Sequence, residues 1–172
     1  MNHYLSDKNA SLIENFCIKD PWDAEIKKRD FGDGIWIDEP DYAEFSYKGV
    51  RCMVERNHSG AFCGYIFVNS GHPWYGKRCD EIKVEVHGGF TWSEYIEKEN
   101  TYKIGFDCAH LEDIIPRASK EVTAFLFLQA KKLGMTVTYK DLDYVVGECI
   151  RLAEASIVEA RTIEIDQKKP RA

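Results

Sequence analysis

Three short stretches concentrate the residues able to do chemistry: "SGHPWYGK" (70–77), "VHGGFTW" (86–92) and "GFDCAHLED" (105–113). Together they carry His72, His87 and His110, Cys108, Asp107 and Asp113, Lys77, and the rings of Trp74, Tyr75 and Trp92. Four chemistries compete for this set. A thiol beside an imidazolium is a better thiolate, which makes Cys108 with His110 or His87 a candidate catalytic group. Cys108 and His110 lie two apart on one strand, about 6.5–7 Å at Cα, so they diverge more easily than they pair and His87 is the better partner. A thiol in such a stretch is more often packing. The histidines, the thiol and the carboxylates could also hold a metal. No spacing matches a compact motif such as HExxH, however, so no metal or other cofactor is expected.

The third chemistry is a small-ligand pocket. The glycines of "HGG" and "YGK" let a ligand approach backbone N–H groups beside side chains suited to anions. Trp74, Tyr75 and Trp92 offer faces for a nucleobase, and Asp107 could accept from a ribose hydroxyl or a base edge. The expected binding set is His72, Trp74, Tyr75, Lys77, His87, Gly88, Gly89, Thr91, Trp92, Asp107 and His110, with His87, His110 and Cys108 as catalytic candidates. The fourth reading is architectural: polar residues at strand ends often lock turns, and the aromatics would fill the core.

The elements that must position these residues follow from periodicity. "KGVRCMVERN" (48–57) alternates, and "AFCGYIFV" (61–68) returns after an "HSG" turn, which predicts a hairpin. "EIKVEVHGG" (81–89) alternates again, and "TYKIGFDCAH" (101–110) reads as a fourth strand with Ile104, Phe106, Cys108 and His110 on one face. Residues 119–134 read as a helix with a serine cap, although "FLFL" leaves a strand open. From Tyr139 onward, Leu142, Val145, Val146, Cys149, Ile150, Leu152 and Ala153 have the spacing of an amphipathic helix. Thr138 and Asp141 stand at capping-box spacing before it. A short helix is expected over 9–19, capped by Asn9 or Ser11, and the tail after about Glu164 is expected to fray.

The fold class expected is therefore α+β in a single domain. An antiparallel sheet of four or more strands carries helices on one face, with a C-terminal amphipathic helix. Residues 1–45 would wrap the domain, 46–112 form the sheet core and 119–163 the helical part. At 172 residues the chain can bury a sizeable core. Its formal charge of −6, with no long basic run, argues against a long nucleic-acid partner. No apolar run approaches membrane-spanning length and no signal peptide is evident, so a cytoplasmic protein with six reduced cysteines is expected.

The blocks "CGYIFVNSGHPWYGK", "VHGGFTW", "GFDCAH" and "YKDLDYVVGECIRLAE" resemble, in the same order, those of an uncharacterised family found in phages and prophage-bearing bacteria. Members read approximately C-G-Y-V-G-V, H-P-L-Y-G-K, V-H-G-G-L-T, G-F-D-C-A-H and Y-R-D-L-E-Y-V. The likeness runs from about Val50 to Ala155 and departs at Phe67 and Phe90. It brings no activity. A family site would fall on His72, Pro73, Tyr75, Gly76, Lys77, His87, Gly88, Gly89, Thr91, Asp107, Cys108 and His110. The phage association implies a protein that sequesters a small nucleotide-like signalling molecule in the host cytoplasm as a homo-oligomer. The alternative is a hydrolase of such a nucleotide, and the third reading is a protein-binding inhibitor.

Overall fold

Alternating apolar residues build the centre of the structure, a computed structural model that describes residues 4–18 and 22–168. Six strands form one antiparallel sheet: β1 (Glu14–Ile18), β2 (Tyr42–Tyr47), β3 (Val50–Arg56), β4 (Phe62–Asn69), β5 (Trp92–Ile96) and β6 (Thr101–Asp107). Their order across the sheet is β1-β2-β3-β4-β6-β5. The helices are α1 (Asp7–Leu12), α2 (Ala24–Phe31), α3 (Lys120–Lys132) and α4 (Leu142–Lys168). This is the α+β arrangement expected from the sequence, closed by the expected C-terminal helix.

The apolar stripe of α4 lies across one face of the sheet. Cys52 and Val54 of β3, Phe62 and Ile66 of β4, and Ile104 and Phe106 of β6 share a core with Leu142, Val145, Val146, Cys149, Leu152 and Ala153. All are 1% exposed or less, and each larger side chain contributes about 1.5–3 kcal/mol by leaving water. Gly64 permits the close approach: a Cβ there would overlap the Phe106 ring and the Cys149 sulfur. The opposite sheet face carries a smaller cluster of Met53, Cys63 and Tyr65 with Tyr42 and Phe67. Two cations cover it: Lys103 Nζ lies 3.7 Å from the Tyr65 ring centre and the Arg51 guanidinium 4.2 Å from that of Phe67.

Several expectations are corrected. Residues 81–89 form no strand. Ile82 is buried and Val84 and Val86 pack on the core, so the alternation is real. Both edges of β6 are already paired, however, with β4 and β5. The segment instead runs beside α4, with Val84 near Glu154 and Val158 and the His87 N–H bonded to Glu148. The first 45 residues do more than wrap the domain, since they supply edge strand β1 and the start of β2. Their first helix is α1, capped by Ser6, whose hydroxyl accepts from the Asn9 N–H, rather than by Asn9 or Ser11.

The strand expected over 101–110 is β6, which stops at Asp107, short of Cys108 and His110. Segment 119–134 is a helix, capped by the Ser119 side chain on the Val122 N–H. Four of its apolar residues, Val122, Phe125, Phe127 and Leu128, are between 46% and 58% exposed, while Ala130 is buried. Asp141 caps α4 itself through the Tyr144 N–H, in place of a Thr138–Asp141 box. The helix continues past Glu164 to Lys168. None of the six cysteines forms a disulfide.

Candidate functional site

Asp113 is the hub of the site. It sits in the turn after β6, where its chain pairs with the segment leading into α4. The Ile114 N–H donates to the Thr138 carbonyl at 2.9 Å and the Thr138 N–H to the Glu112 carbonyl at 2.9 Å. That pairing brings Lys140 and α4 beside the turn. The Asp113 side chain is fully buried and its Oδ2 faces His87 Nε2 at 2.9 Å. The same oxygen accepts the His110 N–H at 2.9 Å and faces His110 Nδ1 at 3.3 Å. Lys140 Nζ stands 3.5 Å from the other oxygen, Oδ1, which accepts no hydrogen bond.

Burial pushes the Asp113 carboxyl up. The hydrogen bonds from His87 and the His110 N–H, with the charges of His87 and Lys140, more than offset this and leave it below its ordinary value. An ionised carboxylate only accepts, so His87 carries a proton on Nε2, and its Nδ1 meets the Tyr144 hydroxyl at 3.0 Å. Burial and the Glu148 charge raise Tyr144 to about 12, so it remains a phenol donor. By the same reasoning His110 turns Nδ1–H toward Asp113, and its Nε2 faces outward, 4.0 Å from Asp107. The His110 side chain is 25% exposed and the His87 side chain only 6%. The two rings meet edge to face with centres 5.4 Å apart. Gly88 is required at this contact: its φ is +62° and a Cβ would overlap the His110 ring.

The structure brings His87, Gly88, Asp107 and His110 together and leaves the other expected residues apart. His72 begins the turn after β4, at the end where Asn69 pairs with Thr101, whereas the cluster follows the end where Cys63 pairs with Asp107. Six residues of strand separate those ends, about 20 Å. His72 accepts the Trp74 N–H on Nδ1 at 3.0 Å and donates from Nε2 to the Ser156 carbonyl of α4 at 3.1 Å. Trp74 is 2% exposed in the core. The Tyr75 hydroxyl donates to Asn100 and its ring packs on Tyr95 and Tyr102. Lys77 is half-buried near His72. Gly89 and Thr91 are exposed, with their N–H groups bonded to the Val86 and Gly105 carbonyls. Trp92 is exposed and donates to Glu94.

Cys108 is 2% exposed. Burial, with the Asp113 charge, pushes its thiol far above the ordinary range, which removes it as a nucleophile. Sequence reasoning named Asp113 but left it outside the site, and it missed Lys140, Tyr144 and Glu148. The available signals were Asp113 three residues after His110 and the Tyr144/Glu148 pair one helical turn apart. A groove of about 350 Å³ lined by Ser6, Asn9, Asp143, Tyr144, Gly147 and Arg151 borders this region.

No protein-family model matches the chain, and the comparisons found no similar curated protein and no similar solved structure. No helix among the described residues is long and apolar enough to cross a membrane.

Proposed function

We propose that the chain is a phage-type accessory protein that captures a small nucleotide-type signalling molecule, with the ligand's anionic part at the His87–Asp113–His110 cluster. The convergence of two imidazoles and Lys140 on one buried carboxylate, with His110 still open to solvent, carries this reading. His110 Nε2 and exposed Gly88 face outward, where a phosphoryl oxygen can approach. Tyr144, 38% exposed, offers a ring face for a base. The phage context and cytoplasmic setting rest on the family resemblance. Self-association as a homo-oligomer completes the proposal, supported by the outward apolar residues of α3.

One observation favours a second reading, hydrolysis of such a nucleotide. A buried carboxylate holding one imidazole nitrogen while the other faces out is the arrangement of a general base. His110 would take the proton of an attacking water. Incubation with cyclic and linear nucleotides, followed by repurification, heat denaturation and chromatography, tests both. Capture returns the nucleotide intact and hydrolysis returns products. Retention of no nucleotide, with none converted in the incubation medium, contradicts both and leaves the protein-binding inhibitor.

A further inference from the structure

We infer that His87 Nε2, His110 Nδ1 and Asp113 Oδ2 form a binding site for one divalent transition-metal ion, with zinc the best-matched probe. The inference shares the site of the proposed function without resting on it. Its first ground is geometry. The three donor atoms lie within 4.8 Å of one another, and Asp113 Oδ2 is 2.9 Å and 3.3 Å from the two ring nitrogens. Ligands at 2.0–2.1 Å from zinc are about 2.9–3.4 Å apart in octahedral to tetrahedral arrangements. Two of the three separations already lie in that range, and the third, between the ring nitrogens, is within 4.8 Å.

A second, independent observation points to a cation. Asp113 is fully buried, and its Oδ1 has no hydrogen bond, only Lys140 Nζ at 3.5 Å. The other carboxylate oxygen meets two imidazoles. The network leaves one buried carboxylate oxygen without a hydrogen bond beside the oxygen on which two imidazoles converge.

The third ground is the outer support that metal-binding histidines use. Tyr144 Oη lies 3.0 Å from His87 Nδ1 and can accept its N–H once Nε2 ligates. Asp107 Oδ1 lies 4.0 Å from His110 Nε2, on the side to which that ring's proton would move. Three protein ligands leave positions for water or a phosphoryl oxygen, and the partly exposed His110 ring marks the entry side.

The test uses the full chain, stripped with a chelator. Zinc is titrated in by calorimetry and Co²⁺ by absorption, with thermal midpoints recorded alongside. The inference predicts one ion per chain with Kd below about 1 μM and a midpoint raised by zinc. His87→Gln and His110→Gln should each weaken binding at least 100-fold, Tyr144→Phe about tenfold, and Cys79→Ser should have no effect. If His87→Gln fails to fold, the more exposed His110→Gln carries the comparison. Absence of binding, equal affinity in the foldable histidine variants, or a thiolate-to-cobalt charge-transfer band would overturn it. Zinc binding by a chain that retains no nucleotide would sink the ligand reading alone. Nucleotide binding by a chain that takes no zinc would sink this one alone.

Discussion

Cys108 and His72 show how burial decides what a reactive side chain does. Cys108 lies beside the histidine cluster, yet its buried thiol is held protonated at neutral pH. Alkylation of the native protein should therefore label half-buried Cys17 and Cys79 first and reach Cys108 only after denaturation. Rapid labelling of native Cys108 at pH 7 would restore it as a nucleophile. His72 is locked by two backbone partners. Burial lowers its pKa below 6.5 and a nearby Lys77 adds to this, against the Ser156 hydrogen bond and Glu159. A depressed imidazole pKa makes the neutral form the folded one. Its stabilising contribution is present above pH 6.5 and lost as pH falls through the folded value. Imidazole ¹⁵N spectra should show an Nε2–H tautomer at pH 7 and a titration midpoint below 6.5. A midpoint above that value would contradict the lock. Strand-end placement anticipated that His87 and His110 meet, although the strand expected over 81–89 does not form and the one expected to reach His110 stops at Asp107. The hub Asp113 was not legible, because its role depends on a turn that folds back onto His110.

Among elements, the alternation of β3, β4 and β6 and the 3–4 spacing of α4 were readable because each buries one face. The same alternation misplaced residues 81–89, since it reports which side is buried and not whether the backbone has a strand partner. A buried ionic network was invisible because its members are far apart in sequence. Arg56 Nε donates to Asp41 Oδ1 at 2.5 Å, and Lys27 Nζ lies 3.1 Å from Asp41 Oδ2. Arg56 also meets Glu39 and the Tyr139 hydroxyl, and Glu39 in turn accepts the first N–H of α4, that of Leu142. The network ties α2 and β3 to the start of α4. Exposed pairs such as Lys28–Asp33 contribute at most about 1 kcal/mol. Removing one partner of a buried pair leaves an uncompensated charge, so Arg56→Met should cost about 3–5 kcal/mol in denaturant unfolding. A loss below about 1 kcal/mol would show that water reaches the remaining carboxylates.

At the scale of the molecule, one sheet face is covered and the candidate site forms where three segments meet at its end: 86–88, 107–113 and 140–148. The sequence grouped its polar blocks by composition. The antiparallel order sends "SGHPWYGK" to the other end of β4, so one apparent constellation becomes a core lock and a separate polar cluster. The central claim is that this cluster binds a ligand and is more than a brace for the turn. The most direct measurement compares the wild type with His110→Ala for retention of the captured nucleotide and for the thermal midpoint. The account predicts binding at least tenfold weaker, a loss of about 1.4 kcal/mol, with the midpoint within a few degrees. A midpoint that collapses while the folded fraction keeps full affinity would make the cluster architecture alone.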